Sequence, residues 1–501
     1  MDETLLRSKA GSMLECYPKL ELIDREFIKR LSEDAVDWAH AHGMVMRIAA
    51  TADRSDICQT APFTLFPSPF PNNLFQEAVD IQQAFNLLYF RVSWDFDFLI
   101  KSHIEVVKTD NFTRHFVEIL NAVRTSNFCQ TKTLLIQRND YMCQEDNYGN
   151  HSLKQIEVNN IAASMGSLAE RVTCVHRRTL ETLKLSNEII KTVIPDNHPT
   201  VTIAKGIYEA WYDYGIPEAI ILFVTEDIDQ NRIDQRQVEY HIDELSSRSA
   251  KCLRITLTDG AERLKINETN HGLILDNELR VAVVYFRTGY LPNNYPTEAE
   301  WSTRRIIELS NAVKCPWIGL QLANTKKVQQ VLSENGVLEK YITDSKMCAR
   351  IRKTFASMWG LENNDNKTLK IIQDAIANPE KFVLKPQLEG GGGNYYGEEI
   401  AEKLKTMSRD EMAAYILMER ITPMVVKNYL IRPQEEPVLM DVVEELGIYA
   451  YLYGSPTADN ISNKHAIKNY VSGHIIRSKG KDVDKGGVAI GAAVIDSPYL
   501  F

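Results

Sequence analysis

The sequence predicts a mixed α/β (α+β) chain that carries a doubly wound parallel-sheet unit. Two observations point there. From about Gly215, continuous apolar runs alternate with stretches of helical period: Ala219–Thr225, Cys252–Leu257 and Val281–Phe286 read as buried strands, and Val238, Ile242 and Leu245 share one helix face. That alternation is the pattern of βαβ units and places the doubly wound unit at about residues 217–325. On either side of it the periods mix, and 501 residues leave room for two to four structural units.

The elements follow in order. The proline-rich stretch Pro62–Pro71 reads as an ordered loop. Leu74, Ala78, Ile81, Phe85 and Leu88 then repeat at helical spacing and predict one apolar helix face. At Leu153–Ile161 the period changes to two: Ile156 and Val158 alternate with Glu157 and Asn159. Within the α/β unit, Thr297 and Glu300 have the spacing of a capping box ahead of a helix bearing Trp301 and Leu309. Lys381–Gln387 reads as a short buried strand ending in a cation, Glu398–Leu417 as helical, and Leu446–Leu452 as strand.

Composition excludes several classes. The net charge is −10 and no long basic block occurs, which argues against a nucleic-acid partner. No apolar run is long enough to span a membrane, so no membrane partner is expected. The first residues, MDETLLRSKAGSM, lack the basic start and apolar core of a signal peptide. The eight cysteines are scattered without CxxC pairs, which argues against zinc and for reduced thiols in a cytoplasmic protein. Secretion is the alternative, should a signal peptide have been removed.

The chemistry concentrates at Lys385–Gly397, KPQLEGGGGNYYG. Consecutive glycines uncover backbone N–H groups and let the chain approach a polyanion. Lys385 and Glu389 beside them suit a phosphate and its Mg²⁺; a flexible surface turn is the plain alternative. The stretch is neither a P-loop nor a GxGxxG fingerprint. Glu157 and Asn159, on one face of their strand and about 6.6 Å apart, are the oxygen donors a hard cation takes, or else an ordinary polar strand face. A second glycine-rich stretch, GGVAIGAA from Gly486, follows Arg477, Lys479 and Lys481. It reads as a lid over an anionic substrate or as a C-terminal hairpin with solvated lysines.

Eight separated segments together resemble the eukaryotic-type glutathione synthetases: QRNDYM at Gln137, LKQIEVNNIAAS at Leu153, NRIDQR at Asn231, VVYFRTGY at Val283, QLANTKKVQQ at Gln321, VLKPQLEGGGG at Val383, ELGIYA at Glu445 and IIRSKGKDVDKGGVAIGAA at Ile475. They stand in the family's order and span most of the chain. The resemblance implies an ATP-grasp fold with the doubly wound unit inserted as a substrate domain. The divisions expected are 1–216 for the N-terminal helical and core part, 217–325 for the substrate domain, and 326–501 for the ATP-grasp part, with a lid at about 358–440 and a C-terminal substrate loop. It further implies a cytoplasmic homodimer that ligates γ-glutamylcysteine to glycine using ATP and two Mg²⁺ per site.

By the same resemblance, Glu157, Asn159 and Glu389 match magnesium ligands. Lys326 and Lys385 match the lysines at the ATP phosphates, and with Arg477 they are the expected catalytic cations. Gly390, Gly391 and Gly392 match the glycine-rich lid, with Asn394 and Tyr396 just after it. Met418 and Glu419 match the adenine-side hinge, Glu445 a ribose- or adenine-side carboxylate, and Lys479 a further ATP-side cation. Arg138, Ser164, Asn231, Gln235, Arg287 and Tyr290 match the γ-glutamylcysteine pocket, while Arg477, Val488 and Ala489 match the surroundings of the tripeptide and its glycine end. Such a ligase needs no protein nucleophile. The substrate carboxylate attacks the γ-phosphate, and the acylphosphate so formed is opened by the acceptor amine, so the protein's work is charge neutralisation, positioning and exclusion of water.

The chain departs from the family pattern at Ala162 (commonly serine), Leu388 (arginine), Gly393 (asparagine) and Lys485 (aspartate, with Asp484 one residue earlier). Two alternatives therefore stand beside the ligase: a paralogue with weak activity or another acceptor such as β-alanine or serine, and a non-catalytic protein that binds nucleotide or a thiol peptide.

Overall fold

In a computed structural model the chain is described over residues 13–126, 130–387, 393–456, 467–484, 486–488 and 491–501. Its frame is a seven-stranded sheet built on two long strands, Thr133–Glu145 and Val438–Gly454. The run expected at Leu446–Leu452 is the middle of the second. That strand pairs antiparallel with Lys468–Gly480 on one side and Thr133–Glu145 on the other, and Thr133–Glu145 pairs in turn with His151–Asn159. At the far end, Val425–Ile431 pairs with the first half of Val438–Gly454 and with Phe63–Thr64, which joins Val494–Asp496, so this part of the sheet returns on itself.

Pro62–Pro71 is more than an ordered loop. It contributes the strand Phe63–Thr64 and a second, Ser68–Phe70, parallel to Pro498–Leu500. Proline is tolerated there because the second pairing is only two-stranded and leaves edges that need no N–H donor.

The helix Asn72–Trp94 buries the predicted face (Leu74, Ala78, Ile81, Phe85 and Leu88) against one side of the sheet. The opposite side is covered by Gly166–Thr182 and Pro199–Tyr214, two helices that the periodicity did not single out. Gly206 lies so close to Tyr451 that a Cβ would stand 2.9 Å from the ring.

The inserted unit has the expected parallel core. Cys252–Ile255, Ile220–Val224, Leu279–Phe286 and Val313–Cys315 run parallel, and an antiparallel hairpin of Leu264–Ile266 and Leu273–Leu275 extends the sheet. Thr297 and Glu300 form the capping box of Glu298–Leu309.

A separate four-stranded antiparallel sheet orders Met358–Gly360, Tyr415–Glu419, Phe382–Pro386 and Tyr395–Tyr396. Helix does not run through to Leu417. It breaks at Met407, restarts as Arg409–Met412 under a Ser408–Glu411 capping box, and gives way to strand at Tyr415. The period changes there, since Leu417 packs with Leu384 and Phe382 on one face while Ile416 and Met418 pack with Met358 on the other. The range 358–440 takes in this sheet and also Val425–Ile431 of the large one. Among the described residues no helix is long and apolar enough to cross a membrane.

Candidate active site

The small sheet overhangs the large one, and a cavity of about 580 Å³ lies between them. Its floor is written in the period of the strands. Arg138 and Asp140, Glu157 and Asn159, and Arg477 and Lys479 are two apart on their strands and so share faces. The register sets Arg138 opposite Asn159, Asp140 opposite Glu157, and Glu445 opposite Arg477.

Asp140 ties the floor together. It is fully buried and accepts from Arg138 Nε and Nη2 at 2.7 and 2.8 Å, from Arg477 Nη2 at 2.8 Å and from Asn159 Nδ2 at 2.9 Å. Arg477 also pairs with Glu445. Gly447 makes the crossing possible, because a Cβ there would stand 2.7 Å from Asp140 Oδ1 and 2.8 Å from Arg138 Cδ. Burial alone would depress both arginines; for Arg138 the Asp140 carboxylate outweighs it, and for Arg477 Glu445 and then Asp140 do, so both pKa values end above the ordinary one. Burial raises the Glu445 carboxyl against the pull of Arg477, and burial lowers the Lys479 ammonium. The floor is thus charged, hydrogen-bonded and preorganised.

Deeper on the same side, Lys326 Nζ stands 3.0 Å from Glu157 Oε1, at the start of the helix Lys326–Ser333, and both are buried or nearly so. Lys385 Nζ donates to the Ile156 carbonyl at 3.1 Å from the last turn of its strand. Two lysines and an arginine therefore converge near the Glu157–Asn159 face. Asn159 commits its amide nitrogen to Asp140 and to the Arg138 carbonyl, which leaves its oxygen as the group a cation could use. Among the described residues no cluster of three or more histidine, cysteine, aspartate or glutamate side chains has metal-holding geometry. Glu389, the third expected ligand, lies outside the described residues, as do Gly390, Gly391, Gly392, Leu388, Lys485 and Ala489.

The roof is apolar. Val383 and Met418 face the cavity from the small sheet, Ile156 from the large one and Ile161 from just beyond its strand, with Asn394 and Tyr396 at the side. Glu419 also reaches the cavity rim while its carboxylate accepts from Ser357 N and Oγ at 3.2 and 2.8 Å. An apolar slot above a cationic floor suits a ligand with a flat base and a polyanionic tail.

At the other end, Ser164 and Tyr290 line the cavity, but Asn231, Gln235 and Arg287 stand behind its wall. Arg287 Nη1 donates to the Ala163 carbonyl at 3.2 Å, and Asn231 Nδ2 to Asp234 at 3.1 Å. Asp234 in turn accepts from Met165 N and Ser167 N, both at 2.9 Å. Gln235 bridges Asp229 and Arg254. These groups hold the turn 162–167, where Ala162 and Met165 adopt the left-handed region at φ 51° and 72°. Such backbone is disfavoured for residues with a Cβ and persists where surroundings over-determine it. Ser164 offers its carbonyl to Arg138 and to the Tyr449 hydroxyl. Val488 closes this end from the C-terminal loop.

Asp140 and Asp234 escaped the sequence reading. Each lies inside a segment quoted for its resemblance, but no spacing marks a carboxylate that gathers Arg138 of its own strand with Arg477 and Asn159 of two others, or one that takes two backbone N–H groups at the start of a distant helix.

Known proteins share this architecture. A sequence profile described as eukaryotic glutathione synthase, ATP binding domain, matches residues 25–500. Glutathione synthetase of Mus musculus is 40% identical over 480 residues, 95% of this chain and 98% of its own. The chloroplastic glutathione synthetase of Arabidopsis thaliana is 35% identical over 491 residues, 96% and 87% of the two chains. Among solved structures, a glutathione synthetase-like effector from Globodera pallida, in its apo form, superposes with a TM-score of 0.76 at 31% identity, covering 96% of this chain and 98% of its own.

Proposed function

The chain belongs to the eukaryotic glutathione synthase family, and we propose that it is an ATP-dependent ligase that joins γ-glutamylcysteine to glycine, giving glutathione, ADP and phosphate. One observation carries the reading beyond membership: a single cavity combines an apolar slot, a fixed cationic floor and a rigid turn. Adenine fits between Val383, Met418 and Ile156. The triphosphate then runs toward Lys385, Lys326 and Lys479. The dipeptide lies toward Arg138, Ser164 and Tyr290, where the guanidinium, its Nε–Nη2 edge taken by Asp140, offers its remaining N–H groups to a carboxylate.

The reaction opposes two anions, the dipeptide carboxylate and the γ-phosphate. Arg477, held by Asp140 and Glu445, supplies a positive charge that needs no reorganisation when charge moves to the phosphoryl group. Glu157 and Asn159, together with Glu389, would hold Mg²⁺, which when bound neutralises phosphate charge. Lys326 already places a cation 3.0 Å from Glu157 Oε1, which orients that carboxylate. The glycine amine then enters beside Val488, whose side chain limits the room for a bulkier acceptor. A cytoplasmic setting, fitting scattered cysteines without CxxC pairs, belongs to the same reading. A homodimer is part of the same reading and is checked by sedimentation.

The test is phosphate release from MgATP and γ-glutamylcysteine with and without glycine, with mass spectrometry of the product. Glycine-dependent glutathione formation is expected. Turnover only with β-alanine or serine would move the acceptor, and no turnover in protein that binds ATP would leave a binding protein.

A further inference from the structure

The strand His151–Asn159 ends at Asn159, and the next residue, Asn160, leaves the sheet while staying buried. A backbone N–H that leaves a ladder inside the fold needs a new acceptor. It finds one in Asn324 Oδ1, at 2.6 Å. The Asn160 side chain is used at both ends as well: Nδ2 donates to the Leu320 carbonyl at 3.2 Å, and Oδ1 accepts from Gln137 Nε2 at 2.7 Å. Two backbone groups fix which way these amides point. The Leu320 carbonyl can only accept, so it takes Asn160 Nδ2; that turns Asn160 Oδ1 to Gln137 Nε2 and leaves Gln137 Oε1 for Gln82 Nε2, at 3.0 Å. The Asn160 N–H can only donate, so it takes Asn324 Oδ1. Gln82 Nε2 also donates to Asn86 Oδ1 at 3.0 Å, deeper under the sheet. Three links of this buried chain adjoin groups of the cavity. Gln137 precedes Arg138, Asn160 follows Asn159, and Asn324 stands two residues before Lys326. Asn324 caps the end of the helix Ile318–Ala323, and Thr325 caps the start of Lys326–Ser333 by accepting from Val328 N at 3.3 Å.

We propose that Asn324, bonded to the backbone of Asn160, is a positioning residue that sets the helix bearing Lys326 against the strand bearing Glu157 and Asn159, and so fixes where the phosphates of a nucleotide meet their cation. Neither Asn160 nor Asn324 lines the cavity, so the pair acts through its neighbours. The joint is short: one residue separates it from Asn159 and two from Lys326, with no helical turn between in which a shift could be absorbed. It is also dry. Asn160, Asn324 and Gln137 are all buried, so breaking the bond leaves an N–H with no water to take it. Amides suit the place because they carry no net charge. A carboxylate or an ammonium here would disturb the contact of Lys326 Nζ with Glu157 Oε1, 3.0 Å long, which the joint holds in register. A small displacement of a charge donor costs far more in binding and catalysis than in stability. The identity of the ligand rests on the ligase reading; the joint itself does not.

The test reads binding and needs no turnover. Calorimetry on the full-length protein gives Kd for the magnesium complex of a non-hydrolysable ATP analogue, and Kd for γ-glutamylcysteine with that analogue at saturation; urea unfolding runs beside it. Asn324→Leu removes the acceptor at similar volume. Its nucleotide Kd is expected to rise about 3- to 10-fold, the range of one buried hydrogen bond, while Kd for γ-glutamylcysteine stays within about 2-fold. In a Lys326→Ala background the same substitution should add nothing, because the group it positions is gone. Asn86→Leu breaks the same amide chain away from the cavity; it should lower the unfolding midpoint and leave both affinities unchanged. Asn324→Ala carries the comparison if the leucine variant does not fold. Equal weakening of both ligands by Asn324→Leu, an additive effect with Lys326→Ala, or an equal loss of nucleotide affinity in Asn86→Leu would overturn the positioning role and leave Asn324 as ordinary core. Wild-type protein that binds the nucleotide without glycine-dependent turnover would overturn the ligase reading alone, and wild-type protein that binds no nucleotide would overturn both.

Discussion

Two guanidinium groups held by carboxylates differ in what they face: Arg304 is buried in a core, Arg477 is partly buried at the cavity. Arg304, on the helix Glu298–Leu309 of the inserted unit, is wholly buried and bonds Glu308 one turn away, Nε to Oε1 at 2.9 Å. Its guanidinium lies 4.3 Å from the Phe286 ring centre and 5.7 Å from that of Phe116. One cation meets one anion and aromatic rings close the space, so the pair does not line the cavity, although among the described residues Arg304 Nη2 and Glu308 Oε2 have no hydrogen-bond partner. Arg477, in the large sheet, meets Asp140 and Glu445 on two different strands and keeps one side open to the cavity, where Lys385 and Lys479 add further positive charge. Burial of a charge therefore says little by itself. What separates a structural pair from a working one is whether the charges close on themselves or leave an excess facing a cavity.

Breaking each pair should show the difference. Arg304→Met strands Glu308 in apolar surroundings and is expected to cost about 3–5 kcal/mol of stability, with kcat unchanged in the fraction that stays folded. Urea unfolding alongside the ligase assay reads both. Arg477→Met should do the reverse, because its neighbours keep Arg138 as a partner and the cavity admits water. Activity should fall about 10²–10³-fold, as when one preorganised charge donor is lost, while the midpoint of unfolding moves by far less. Loss of stability without loss of kcat in Arg477→Met would place it with Arg304.

Replacing the whole pair sharpens the contrast. Arg304→Met with Glu308→Leu exchanges a buried ion pair for apolar volume and is expected to recover most of the loss of the single variant, ending near neutral or up to about 1–4 kcal/mol more stable than the parent. Arg138→Met with Asp140→Leu, the same operation on the floor of the cavity, should leave a folded protein without glycine-dependent turnover. A floor variant that still ligates would mean that the arginine cluster is scaffold.

The sequence made some of this legible and hid the rest for physical reasons. Apolar runs announced the parallel strands Ile220–Val224 and Leu279–Phe286, because those segments bury what their period says they bury; in His151–Asn159 the alternation holds at Val158 but slips at a bulge, where Gln155 is buried and Ile156 lines the cavity beside Glu157 and Asn159. Thr133–Glu145 gave no such signal. Its middle is buried on both faces yet reads Gln137-Arg138-Asn139-Asp140: inside the fold Gln137 bonds Gln82 and Asn160, and Arg138 bonds Asp140, so these polar side chains need no water. The helix signal of Glu398–Thr406 seemed to continue because Ala413 and Ala414 favour helix, but strand pairing with Phe382–Pro386 prevails from Tyr415. At the site, the resemblance named the cations and the strand carboxyl and amide groups; the roles of Asp140 and Asp234 depend on register between distant segments and have no local signature.

A third buried cluster tests the same rule with no strong cation at all. Glu444, the neighbour of Glu445, points to the opposite side of the sheet, across from Ser478, where Asp496 accepts from Ser68 Oγ and Ser478 Oγ at 2.6 Å each. The nearest basic group is His176, 4.0 Å from Asp496, and burial lowers its pKa to about 4, so it stays neutral near pH 7. Burial raises Glu444 well above its ordinary value, with Asp496 adding to the effect, and burial raises Asp496 to about 6. Both carboxyls therefore hold protons in the folded chain at pH values where the unfolded chain has released them. Their contribution is fully present below the unfolded values and is lost as pH rises through the folded ones, from about pH 4 to 6 for Asp496 and continuing higher for Glu444. Glu444→Gln removes the second of these losses and leaves His176 unchanged. The variant's gain over the parent should therefore grow with pH, by about 1.4 kcal/mol for each unit by which the folded pKa exceeds the unfolded one. Urea unfolding of both proteins at pH 5, 6.5 and 8 measures it. A gain that is flat with pH, or largest at pH 5, would mean that Glu444 keeps its charge in the fold, and the rule drawn from Arg304 and Arg477 would need a cation on this face of the sheet as well.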